Sequence, residues 1–165
     1  MTPAAYLNSL PMPAARAALG RCCGARRWVE AMVAARPFAS DAELLAAAER
    51  VWWGLGRTDW LEAFAAHPRI GDRGRGGALT DWARREQAGA DGAAGATLAA
   101  LAQGNLTYEG RFGHVFLISA TGKTADEMLG ALRGRLANDP ATELRVAAGE
   151  QAKITRLRLD KLVVS

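Results

Sequence analysis

An all-α fold is what this sequence predicts, on three observations. Half of its 165 residues are apolar, and that share comes mainly from Ala and Leu, both good helix formers. β-Branched and aromatic residues are thin outside the run VFLIS at 115–119 and the C-terminus, so few segments favour a strand. Prolines, glycines and capping signals divide the chain into stretches of helical length. The expectation is a single-domain compact bundle of about eight helices over residues 1–165, with one short extended connector. The length suffices for one core, and neither an internal repeat nor a dividing linker is present.

Pro3, Pro11 and Pro13 break the opening into one turn of helix, a kink and a helix over 14–19, punctuated by Gly20 and Gly24. Residues 25–35 suit a helix that stops before Pro37, because the residue ahead of a proline avoids helical dihedrals. Ser40 and Glu43 read as a capping box for the next helix, whose apolar stripe is Leu44, Leu45, Ala48, Val51, Trp52 and Leu55. Thr58 is placed to cap a short helix carrying Trp60, Leu61 and Phe64, which Pro68 ends near His67. His67 thus falls at a helix-to-loop junction.

Residues 71–77, rich in Gly, Arg and Asp, read as a surface loop that can move. Residues 80–87 suit a short helix, and Gly89, Gly92 and Gly95 separate it from a longer one through Leu98, Leu101, Leu106 and Tyr108. The run 115–119 has no visible partner strand and reads as an extended connector. Thr124 and Glu127 form another capping box, for a helix to about Ala137, and Asp139 with Pro140 opens a long terminal helix.

The formal charge of +4 and pI near 9.6 come from arginines scattered along the whole chain. A dedicated nucleic-acid face would cluster them, so this distribution suits a small anionic ligand instead. No run of eighteen apolar residues occurs and the N-terminus lacks a basic start leading into an apolar stretch, so neither a membrane span nor export is expected. Adjacent Cys22 and Cys23 would need strained geometry to bridge each other, which fits a reducing cytoplasm. The ending LVVS is not a peroxisomal address.

Gly122, Lys123 and Thr124 spell the end of a phosphate-binding loop, but Leu117 stands where that pattern needs its first glycine. The two histidines, His67 and His114, have no cysteine or carboxylate at metal-ligand spacing, so no zinc site is expected. Neither serine nor cysteine stands in a recognisable nucleophile setting. A lone histidine at a helix end is more often a cap than a catalyst; Pro68 and the glycines that follow His67 favour the catalytic reading. Glu86 and Gln87, in WARREQAG, read equally well as a solvated face with Glu86 balancing Arg84 or Arg85.

On the terminal helix, Leu144, Ala148, Gln151, Ile154, Arg158 and Leu162 fall on one stripe, so Arg158 interrupts an apolar face while Arg156 points about 200° away. A guanidinium aimed at a core needs a counter-anion, either Glu86 or a substrate carboxylate.

Four segments in order, HPRIG, REQAG, NLTYEGRFGHVFLISATGKTADEML and NDPATELRVAAGEQAKITRLRLDKL, resemble the 2-oxo-4-hydroxy-4-carboxy-5-ureidoimidazoline (OHCU) decarboxylases over nearly the whole chain. The resemblance implies an all-α, commonly homodimeric enzyme that acts after urate oxidase and hydroxyisourate hydrolase. It converts OHCU to (S)-allantoin and carbon dioxide with no metal or organic cofactor. The family's catalytic histidine falls on His67, with Pro68 lining the site. Its Ser-x-x-Glu-Gln motif falls on Ala83, Arg84, Arg85, Glu86 and Gln87. Its main-chain binding segment falls on Phe116, Leu117, Ile118, Ser119 and Ala120, and its terminal arginine on Arg158.

Ala83 departs from the family serine and removes one hydroxyl from the substrate's surroundings. A neighbour or a water can supply that contact. The departure also leaves open a non-catalytic helical binding or regulatory protein on the same scaffold.

The expected chemistry follows from the substrate. Decarboxylation leaves an electron pair that the adjoining ring takes up as an enolate-like species, so negative charge on oxygen must be stabilised and a proton delivered to one face. Arg158 and the amides of 116–120 are expected to hold anionic and carbonyl groups. His67 is expected to act as general acid/base, and Glu86 to orient it or to bind ureido nitrogens together with Gln87.

Overall fold

The computed structural model describes residues 1–69 and 91–163, and among them it contains eight helices and no strand. They are α1 (Pro3–Ser9), α2 (Met12–Cys22), α3 (Arg26–Ala35), α4 (Asp41–Trp53), α5 (Arg57–Ala65), α6 (Asp91–Phe112), α7 (Ala125–Arg135) and α8 (Pro140–Asp160). The all-α expectation holds, and residues 115–120, neither helix nor strand, lie in the connection between α6 and α7. The described residues gather into two compact units. One is Met1–Ala66 with the chain from Ala148 onward; the other lies between His67 and Ala147.

In the first unit, the Thr2 hydroxyl accepts the Ala5 amide at 3.2 Å and the Asp41 carboxylate accepts the Ala4 amide at 2.9 Å, so both starting amides of α1 are satisfied. α1 is seven residues long rather than one turn. α2 begins before Ala14, because Pro13 sits in its first turn where no amide is needed, and it continues past Gly20 to Cys22. Ser40 supplies the serine half of the capping box expected for α4, accepting the Glu43 amide at 3.1 Å.

α5 starts at Arg57, behind an extended Gly56, so Thr58 lies inside the helix instead of capping it. Asp59 occupies its first turn, where a carboxylate opposes the positive end of the helix dipole. At Gly24 a Cβ would approach the Ala66 Cβ to 2.7 Å; glycine is what lets this turn lie against the end of α5.

Three tryptophans hold this core. The indole N–H groups of Trp28, Trp52 and Trp60 donate to the carbonyls of Ala48, Ala148 and Trp52 at 3.2, 2.9 and 3.1 Å. Each ring is thereby buried without stranding its donor.

In the second unit, α6 buries Leu101, Asn105, Tyr108 and Phe112 at steps of four, three and four. Gly92 and Gly95 lie inside this helix rather than ahead of it, in an alanine-rich stretch whose propensity offsets the glycines. Leu106 is 57% exposed and is not part of the apolar face. Met128, Leu129 and Leu132 of α7 pack with Tyr108, Phe112, Phe116 and Ile118 in one cluster. The capping box of α7 is complete. Thr124 accepts the Glu127 amide at 3.1 Å and Glu127 accepts the Thr124 amide at 3.2 Å. α7 ends at Arg135, two residues short of Ala137.

Candidate active site

Pro68 follows immediately on the last turn of α5 and its Ala66 cap, which leaves His67 half-buried where the helix has stopped. Two residues on, the Arg69 guanidinium meets the Glu109 carboxylate of α6, its Nε donating at 3.0 Å. The backbone that carries His67 and Pro68 is thus tied to α6 by an ion pair whose acidic partner is mostly buried.

Phe116, Leu117, Ile118 and Ser119 are buried and Ala120 is half-buried. Two cations grip this connector. Arg135 donates from Nη1 to the Leu117 carbonyl at 2.6 Å, and Lys123 donates from Nζ to the Ser119 carbonyl at 2.6 Å. Arg135 also pairs with the fully buried Glu143 through Nη2 at 2.5 Å and Nε at 2.8 Å, and its guanidinium lies 4.6 Å above the Phe116 ring centroid. Tyr108 donates its hydroxyl to Glu143, and Asn138 donates to the other carboxylate oxygen at 3.0 Å. Both oxygens of Glu143 are therefore satisfied away from water. Burial first, and then the Glu143 carboxylate, push the Tyr108 pKa well above its ordinary value, so the hydroxyl keeps its proton.

No sequence motif marks this group. Arg135 is one arginine among many, Glu143 stands on the next helix, and Lys123 stood out only for a phosphate-loop pattern that Leu117 breaks. The available signal was the spacing of Arg135 and Glu143 across the α7–α8 turn. Gly122 has φ +78° and Thr124 caps α7, so the GKT run makes a turn and a helix start.

Arg158 overturns its expected placement. The buried stripe of the later part of α8 is Ala148, Gln151, Thr155 and Leu159; it keeps the expected Ala148 and Gln151 and then runs one position later, and Arg158 is exposed. The pattern misled because Ile154 is the more apolar residue, yet Thr155 is buried with its hydroxyl accepting from Gln151 at 2.9 Å. Arg158 reaches the Arg21 carbonyl at 3.4 Å, so it needs no buried counter-anion and its charge is open to an anion from solution. Ala83, Arg84, Arg85, Glu86 and Gln87, like the loop 71–77, lie outside the described residues.

His114 lies beside the Tyr108 and Phe112 rings, its Nδ1 3.1 Å from the Val115 carbonyl. Among the described residues no group of three or more His, Cys, Asp or Glu is placed to hold a metal ion, and no helix is long and apolar enough to cross a membrane.

Known proteins resolve what these features belong to. The family model for OHCU decarboxylase matches residues 8–160. The chain belongs to the OHCU decarboxylase family. Among its relatives, the uric acid degradation bifunctional protein TTL of Arabidopsis thaliana is 42% identical over 146 residues, 86% of this chain and 45% of TTL. The chain thus spans less than half the length of that relative. The OHCU decarboxylase of Amia calva is 34% identical over 135 residues, 78% of this chain and 75% of that protein. A crystal structure of an OHCU decarboxylase, determined in the presence of (S)-allantoin, superposes with TM-score 0.73 at 38% identity, over 87% of this chain and 94% of that one. An (S)-allantoin synthase at 23% identity and TM-score 0.71 repeats the fold.

Proposed function

We propose that this chain converts OHCU to (S)-allantoin and carbon dioxide, and that residues 1–165 work as one functional domain. The observation that carries the proposal is the match of one decarboxylase family model to residues 8–160, across both compact units. No metal or organic cofactor is assigned to the reaction.

The roles follow from the chemistry. His67 removes the proton of the substrate hydroxyl as general base. The bond to the carboxylate carbon breaks, carbon dioxide leaves, and the electron pair passes into the adjoining ring as an enolate. A proton then adds to the ureido-bearing carbon from one face to give the S product. Pro68 keeps the backbone at His67 short of helix. Arg158, exposed and cationic, attracts the anionic substrate. The amides within Phe116–Ala120 hold the substrate's anionic and carbonyl oxygens, in the ground state as well as while charge develops. Glu86 and Gln87 bind the ureido nitrogens, with Ala83, Arg84 and Arg85 beside them. The protein works in the cytoplasm as a homodimer.

The test generates OHCU in situ from urate with the two upstream enzymes. Wild type accelerates its loss, and His67→Asn lowers kcat by about 100-fold or more, the usual worth of a general base. A His67→Asn rate equal to wild type removes His67 from the mechanism. Ala83 favours a second reading, a binding protein without turnover; saturable binding of (S)-allantoin by a chain that leaves OHCU untouched decides for it.

A further inference from the structure

The connector 116–120 is held by two cations, one on the Leu117 carbonyl and one on the Ser119 carbonyl. In a trans peptide the carbonyl of one residue and the amide of the next point in opposite directions across a rigid plane. Among the described residues the only cis bond is Arg36–Pro37. Arg135 on the Leu117 carbonyl therefore fixes the plane whose other end is the Ile118 amide, and Lys123 on the Ser119 carbonyl fixes the plane whose other end is the Ala120 amide. A cation on a carbonyl also draws electron density through the peptide and makes the opposite N–H a stronger donor.

The anchoring differs at the two planes. Arg135 is itself locked by Glu143, which Tyr108 and Asn138 hold, and by the Phe116 ring beneath it. Lys123 is half-buried on the turn that leads into α7. The carbonyl ends are fixed before any ligand arrives.

We infer that Arg135 and Lys123 are positioning residues, which aim and polarise the amides of Ile118 and Ala120 as the pair of main-chain donors for the substrate's anionic oxygen. The inference rests on the decarboxylase reading above.

The test measures KM and kcat for OHCU, (S)-allantoin affinity, and the amide resonances of isotopically labelled protein. (S)-Allantoin shifts the Ile118 and Ala120 amides of wild type more than those of Leu117 and Ser119. Lys123→Met keeps the wild-type Tm and raises KM by about tenfold, the worth of one charge-assisted hydrogen bond, and Lys123→Arg restores it. Arg135→Lys, which cannot serve Leu117 and Glu143 together, shifts KM in the same direction. Should that buried variant fail to fold, Lys123→Met decides. Wild type that turns over OHCU while both amides stay unmoved, or while Lys123→Met keeps its KM and (S)-allantoin affinity, overturns the positioning role alone. Wild type that does not turn over OHCU overturns the reading beneath it and the inference with it.

Discussion

Cys22 and Cys23 are both buried, and that desolvation pushes each thiol up to about 11 from an ordinary 9.0, with Arg158 pulling weakly the other way. Between pH 9 and 11 the folded chain keeps protons that the unfolded chain has released, so stability falls as pH rises through that window. Thermal unfolding at about pH 8 and about pH 10.5 is expected to show this loss. The Cys22→Ala/Cys23→Ala variant is expected to lose less over the same interval. Equal slopes in the two proteins would remove the thiols as its cause. Iodoacetamide is also expected to label the native thiols slowly, since the thiolate is the reacting form. At this scale the sequence was readable where one residue carries a signal of its own, as where Pro68 marks the end of α5 just before His67. It was unreadable where a role comes from partners brought in by folding, as at Arg135 with Glu143 and the Leu117 carbonyl. Arg158 was misplaced because side-chain polarity was taken as a guide to burial, and Thr155 is buried with a partner for its hydroxyl.

Among the elements, α7 depends on its start and on its packing against α6. Thr124→Ala removes the acceptor for the Glu127 amide and leaves only the return bond from its own backbone amide to Glu127, and is expected to cost about 1 kcal/mol in denaturant unfolding. Gly104 of α6 faces the fully buried Leu132 of α7, and a Cβ there would fall inside the leucine side chain. Replacing a helical glycine with alanine ordinarily gains about 1 kcal/mol, while overpacking a core costs about 1–3 kcal/mol. Leu132 has little room to yield, so Gly104→Ala is expected to destabilise; a raised denaturation midpoint would contradict the tight α6–α7 contact. Capping boxes and proline punctuation made most helices legible. The misses were at the ends. Thr58 looked like a cap, and Gly92 and Gly95 looked like breaks, because local preference is weak beside tertiary packing.

For the molecule as a whole, fold and family were legible because helical composition and several motifs in fixed order agree with one another. The two-unit grouping was not, since no change of composition marks Ala66 or Ala148. The proposed enzyme both speeds loss of the carboxylate and chooses one face for the new proton. Spontaneous decay offers no chiral surface to make that choice. Circular dichroism of the product formed from freshly generated OHCU tests both at once. With a catalytic amount of this chain, the S-allantoin signal is expected to rise rapidly to the full value for one enantiomer. A product that stays racemic and forms at the rate seen without the chain would rule out this activity.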